Sequence, residues 1–216
     1  MNGILAIDQG TTSSRAIIFS KSGKKLISSQ LEFKQFFPKN GWVEHNPNEI
    51  WSTTIKVTKN VLLKSKKLKI NIKALGITNQ RETTVCWDKK TGEPVYNAIV
   101  WQDRRTENYC KKIKKKEKLI RKKTGLFLDP YFSATKIKWI LDNNPKAKRL
   151  YEEKKLLFGT IDTWLLWNLT ERKSHLTDIT NASRTMLYDL KNEIWSTEIL
   201  QSLNIPKDIL PKVTQN

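Results

Sequence analysis

The first group of residues able to do chemistry lies in residues 4–19, where a short apolar run leads into Asp8, Gly10, the hydroxyls of Thr11, Thr12, Ser13 and Ser14, then Arg15 and a second apolar run. Such a pattern reads as a β-hairpin whose turn grips phosphate. Gly10 lets backbone N–H groups come close to an anion, the hydroxyls add donors, and Arg15 supplies a planar positive fork. Asp8, ending the first apolar run, is placed to hold a magnesium ion through its water shell, because magnesium favours a carboxylate plus substrate phosphates over an all-protein cage. The same residue types also build ordinary polar turns, so the rest of the chain must decide.

Composition sets the bounds. A chain of 216 residues can bury one sizeable core, or one domain and the start of another. With 38% hydrophobic residues and 8 Trp, it has the apolar surface that a disordered chain lacks. No apolar run approaches the roughly 18 residues of a membrane span, and Asp8 cuts the N-terminal run too short for a signal peptide, so a cytoplasmic location with no membrane partner is expected. Cys86 and Cys110 lack metal or disulfide spacing and read as thiols, and His45 and His175 have no second ligand at helical spacing. The net charge of +19 would suit nucleic acid. It is mostly lysine, however, and its densest block, residues 111–123, carries no interleaved aromatic and reads as solvated helix faces. No nucleic-acid partner is therefore expected, while anionic metabolites fit.

The elements that must position these groups follow from periodicity and punctuation. Gly23 marks a turn into a third strand over residues 24–33, completing an antiparallel meander. Asn46 and Pro47 cap a helix running to about residue 64, with Ile50, Val57 and Val61 on its apolar side. A buried strand over 70–77 follows, then strands over 83–88 and 98–101. Helices are predicted from 103 through the lysine block, over 134–143 before Pro145, over 161–169, and over 196–203. This mixed α/β order, with the phosphate turn first, suits an actin-like or ribonuclease-H-like domain better than a dinucleotide-binding one. No G-x-x-x-x-G-K-[ST], G-x-G-x-x-G or H-R-D motif occurs, which disfavours P-loop, dinucleotide and protein-kinase chemistry.

The run Gly-Ile-Thr-Asn-Gln-Arg-Glu-Thr-Thr at 76–84 resembles the FGGY carbohydrate kinase family, and within it the members that phosphorylate glycerol. Blocks at 5–15, 41–47, 96–105, 125–133, 157–165 and 180–187 extend the resemblance in family order along the chain. It implies an incomplete actin-like/ribonuclease-H-like N-terminal domain over residues 1–216, a mixed sheet flanked by helices, with a second, adenine-binding domain absent. It also implies ATP and Mg2+ as cofactors, ATP/ADP and glycerol as partners, sn-glycerol 3-phosphate as product, and homo-oligomers among full-length members. By the same resemblance Arg81, Glu82 and Tyr131 bind glycerol with Trp101 as packing surface, Thr11, Thr12, Ser13 and Arg15 bind the nucleotide phosphates, and Asp8 helps position magnesium. The residue chemistry agrees, since a triol needs donors, acceptors and an apolar wall for its C–H strip.

Asp162 reads as a helix cap and Arg184 as a buried hydrogen-bond anchor, while Arg104 and Arg105 could shape the cleft without an assigned role. The resemblance takes the general base from an aspartate in a Gly-Asp-Gln motif. None occurs in the 216 residues, so no catalytic residue is assigned, that aspartate is expected beyond Asn216, and the chain by itself is expected to turn over weakly. Three other readings stay open: a non-catalytic remnant or subunit, a kinase of another small polyol or ketose, and a basic nucleic-acid-binding module.

Overall fold

Alternating apolar and polar residues in the first 32 positions build three strands, β1 (Asn2–Gln9), β2 (Ser13–Ser20) and β3 (Lys25–Glu32), joined as an antiparallel meander in a computed structural model that describes residues 1–215. Helix α1 (Pro47–Lys67) then carries the chain to β4 (Asn71–Asn79), which lies parallel to β1 and completes the order β3-β2-β1-β4. Asn46 caps α1 by accepting from the Asn48 N–H, Pro47 opens it, Glu49 lies in its first turn and Lys64, Lys66 and Lys67 in its last, all in accord with the helix dipole. Val57 and Val61 of α1 pack on Leu5, Ala16, Ile18 and Ile27 of the sheet. The predicted buried strand over 70–77 is instead largely exposed, with Leu75 at 46%. It is the last strand of this sheet among the described residues, and α1 covers β2 and β3 rather than β4.

These elements form one compact unit, Met1–Gln35 with His45–Gln80; the second comprises Phe36–Glu44 with Arg81–Asn216. In the second, β5 (Val85–Asp88) pairs antiparallel with β6 (Leu156–Gly159), and both are buried along their length. Cys86 faces the main core with Ile99, Ile137, Phe158 and Met186, while Trp87 packs edge-on against Trp164. The helix predicted from 103 through the lysine block is broken into α2 (Glu107–Lys112), a short 3-10 turn and α3 (Glu117–Thr124), which Gly125 closes in the left-handed conformation at φ 71°. Residues 103–106 stay out of the helix because Asp103 accepts from the Val43 and Arg105 backbone N–H groups.

Helix α4 (Ser133–Asn143) ends where predicted, but Pro145 begins a further helix, α5 (Pro145–Glu152). Asn144 serves both ends, its own N–H donating to Ile140 and its side chain accepting from Ala147. Helix α6 (Ile161–Leu169) holds the predicted span, followed by β7 (Leu176–Asp178), α7 (Ile179–Ala182), α8 (Thr197–Leu203) and β8 (Lys212–Thr214), which pairs parallel with β7. Among the described residues no helix is long and apolar enough to cross a membrane.

Arg105 is engaged within the second unit. Its side chain is wholly buried, paired with Glu44 at 2.7 Å and Asp103 at 2.8 Å, and stacked on Trp42 and Trp139. Arg105→Met strands both carboxylates in the interior and is expected to cost about 3–5 kcal/mol, read as a lowered midpoint in urea denaturation.

Candidate functional site

The residues singled out from the sequence fall into both units. In the first, the β1–β2 turn has its carbonyls tied from behind. Gly10 O accepts from Gln9 Nε2 at 2.8 Å and Gln80 Nε2 at 3.2 Å, Thr11 O from Gln35 Nε2 at 3.1 Å, and Thr12 O from the Phe33 N–H at 3.3 Å. Because a peptide unit is planar and trans, holding the Gly10 and Thr11 carbonyls on one side sends the Thr11 and Thr12 N–H groups to the other. Thr12 is exposed and Thr11 half-exposed, while Ser13 is buried with its hydroxyl accepting from Gln30 at 2.9 Å.

Ser14 does not join this surface. Strand alternation turns it toward α1, where it meets Thr53 at 2.9 Å and Thr54 at 3.2 Å. Asp8 and Arg15 stand opposite each other in the β1–β2 register, both partly exposed, with Arg15 Nε 3.7 Å from Asp8 Oδ2. That separation is too long for a hydrogen bond, and Arg15 Nε is a buried donor without an acceptor.

In the second unit, Glu82 occupies the left-handed region at φ 63°, a strained conformation for a residue with a side chain. Its backbone oxygen is held by Ser133 Oγ at 2.9 Å, at the start of α4. Its carboxylate is 5% exposed, and Oε1 accepts from Arg184 Nε at 2.6 Å. The Arg184 guanidinium in turn lies 5.7 Å over the Tyr131 ring and 5.0 Å over that of Phe132. Tyr131 packs against Trp101 with ring centroids 5.4 Å apart. Glu82, Tyr131 and Trp101 are thus linked by packing and by Arg184, and Arg81 precedes Glu82 with its side chain exposed. The reading of Arg184 as a buried anchor needs correcting: it is one-third exposed and its partner is Glu82 itself.

Lys136 had no sequence signal, since a lysine within a helical pattern normally faces water. Here it is fully buried and folds back over the start of α4, donating to the carbonyls of Pro130, Tyr131 and Phe132 at 2.5, 2.6 and 3.3 Å. The Tyr131 N–H donates to Asp129 Oδ1 at 2.8 Å, so the tyrosine is held from both sides of its backbone. Asp162 is not the cap of α6, because Thr160 occupies that position. Asp162 is the second residue of the helix, accepts from Thr160 and Thr177, and desolvation pushes its carboxyl up to about 6. No group of three or more His, Cys, Asp or Glu side chains comes together as a metal site among the described residues.

Comparison with known proteins gives this geometry a context. The model of the FGGY family of carbohydrate kinases, N-terminal domain, matches residues 3–216. The chain belongs to the FGGY family of carbohydrate kinases. Glycerol kinases of Streptococcus pyogenes serotypes M6 and M5 are 58% identical to it over 215 residues, 99% of this chain, so the chain spans less than half the length of the curated relatives it matches, 43% and 42%. Among solved structures, glycerol kinase from Plasmodium falciparum with ADP superposes with a TM-score of 0.92 at 39% identity, over 99% of this chain and 43% of that one. Xylulose kinase from Lactobacillus acidophilus, at 24% identity and a TM-score of 0.86 over all of this chain and 42% of that one, shares the fold. The expected actin-like/ribonuclease-H-like class, a mixed sheet with helices, is that of these FGGY kinases.

Burial brings the Lys136 ammonium from its ordinary 10.5 down to about 7. The folded chain therefore releases this proton before the unfolded chain does, and the buried charge is a cost below pH 7 that fades as pH rises toward 10.5. Folding stability is expected to climb across that window by up to about 1.4 kcal/mol per pH unit from this group. Urea denaturation at pH 7 and pH 9 should show the climb in the wild type and a flatter response in Lys136→Met.

Proposed function

We propose that this chain supplies the polyol site and the phosphate-binding turn for ATP-dependent phosphorylation of glycerol to sn-glycerol 3-phosphate. One observation carries the reading: Glu82 is buried with one carboxylate oxygen held by Arg184, while the other has no protein donor among the described residues, and Arg184 also lies over the Tyr131 ring, itself packed on Trp101. A carboxylate so placed accepts hydrogens from adjacent hydroxyls, the rings cover a C–H strip, and exposed Arg81 adds donors. Family membership and the similarity to glycerol kinases support glycerol over another polyol or ketose.

In the first unit the reading assigns the β- and γ-phosphates of ATP to the outward side of the Thr11–Thr12 turn, to Ser13 and to Arg15, whose partly exposed guanidinium can pair with an anionic oxygen. Asp8 fits magnesium, because one partly exposed carboxylate suits an ion that keeps its waters and phosphate ligands. Bound there, magnesium would neutralise phosphate charge. No general base is assigned among the 216 residues, in which Gly-Asp-Gln does not occur. Work in the cytoplasm belongs to the same reading.

Binding should therefore be measurable in this chain. In isothermal calorimetry glycerol is expected to give saturable heat, and Glu82→Gln to weaken it at least about tenfold, a loss of roughly 1.4 kcal/mol or more. Arg184→Met is expected to weaken glycerol by a similar factor, because Glu82 then loses its oriented partner. An absence of heat with the wild type, or an unaltered titration in folded Glu82→Gln, would refute the assignment.

A further inference from the structure

The network behind the phosphate turn has a polarity that can be read from its fixed ends. The carbonyls of Thr11 and Phe33 can only accept, and Gln35 Nε2 stands 3.1 and 3.3 Å from them, so that end of the amide is the NH2 group and Oε1 faces His45. His45 Nε2 lies 2.5 Å from that oxygen and must carry a hydrogen. On the opposite side Gln80 Nε2 is 3.2 Å from both Gly10 O and Gln9 Oε1, so it too is a donor. His45 Nδ1, 3.3 Å from it, is left as the acceptor. A neutral ring with its hydrogen on Nε2 matches both neighbours, the two Gln80 hydrogens being shared among Gly10 O, Gln9 Oε1 and His45 Nδ1; an imidazolium would set a second N–H against the Gln80 NH2. The ring is fully buried, edge-on to Phe33 at 5.1 Å, and burial pushes its pKa down to about 4.

We propose that His45 is a positioning residue for the phosphate turn: as the Nε2–H tautomer it locks the Gln35 and Gln80 amides, which hold the Thr11 and Gly10 carbonyls and so keep the Thr11 and Thr12 N–H groups turned toward a nucleoside diphosphate. This deepens the functional reading given above and rests on it for the identity of the ligand. The coupling itself rests only on donors and acceptors. A ring with one donor and one acceptor dictates which way both amides face, something a phenyl ring of the same size does not do.

The test uses the 15N-labelled 216-residue chain at pH 7. Two-bond 1H–15N correlations are expected to show His45 Nε2 protonated and Nδ1 bare; the reverse tautomer, or an imidazolium, overturns the proposal. His45→Phe keeps the ring against Phe33 and removes both bonds. Its Thr11 and Thr12 backbone amide resonances are expected to move, and calorimetry is expected to show ADP affinity reduced about tenfold. A folded His45→Phe chain with unmoved amides or undiminished ADP affinity overturns it. Should that variant fail to fold, Gln35→Glu serves, since a carboxylate still accepts the ring hydrogen but offers no donor to the Thr11 and Phe33 carbonyls. The same loss is expected there, and retained ADP affinity counts against the proposal. If the wild type gives no heat with ADP, the phosphate reading fails, while the tautomer and amide shifts still decide whether His45 sets the turn.

Discussion

A carboxylate taken out of water has to be met by cations and donors, and in the second unit that demand centres on Glu82. Its backbone is held at φ 63° by the Ser133 hydroxyl, and its carboxylate by Arg184, 102 residues further along. Satisfying one buried charge therefore brings together the 81–84 loop, the start of α4 and the 183–185 turn. Tyr131 and Trp101 follow, because Arg184 also lies over the tyrosine ring and the two aromatics pack on each other. Lys136 completes the arrangement from beneath, gathering three successive carbonyls that free backbone would otherwise leave unpaired in the interior.

The first unit meets a comparable demand with neutral groups. A turn that presents N–H groups outward must hide its carbonyls, and hidden carbonyls need donors. Gln9, Gln35 and Gln80 supply them, and His45 joins two of these amides from within. Amides and a neutral imidazole meet those carbonyls without placing a charge behind the turn. Arg15 and Asp8, the charged pair of the hairpin, remain at the partly exposed face.

Several elements were legible because their signals are local. Asn46-Pro47 marks the start of α1, and the observed cap agrees with that signal. The lysine block misled because helical periodicity says nothing of Asp103, whose carboxylate is engaged by Val43 and Arg105 and keeps residues 103–106 from the helix. Pro145 read as a stop, though it equally opens α5 once Asn144 caps it. Apolar residues in β4 suggested burial, yet exposure depends on what lies over a strand, and α1 lies elsewhere. Ser14, grouped with its neighbours by type, is separated from them by strand alternation.

By itself the sequence determined the mixed α/β class and the family, since these rest on short-range pattern and on motifs in order along the chain. Only the tertiary structure decided partners. Arg184 belongs to Glu82 and Arg105 to Glu44 and Asp103; Lys136 is a buried clamp, unlike the solvated lysines it resembles in sequence; and His45 has one acceptable tautomer. The reason is physical: a charged or polar side chain acquires its role from the groups that replace its water, and those groups arrive from segments that are distant in the chain and adjacent only after folding.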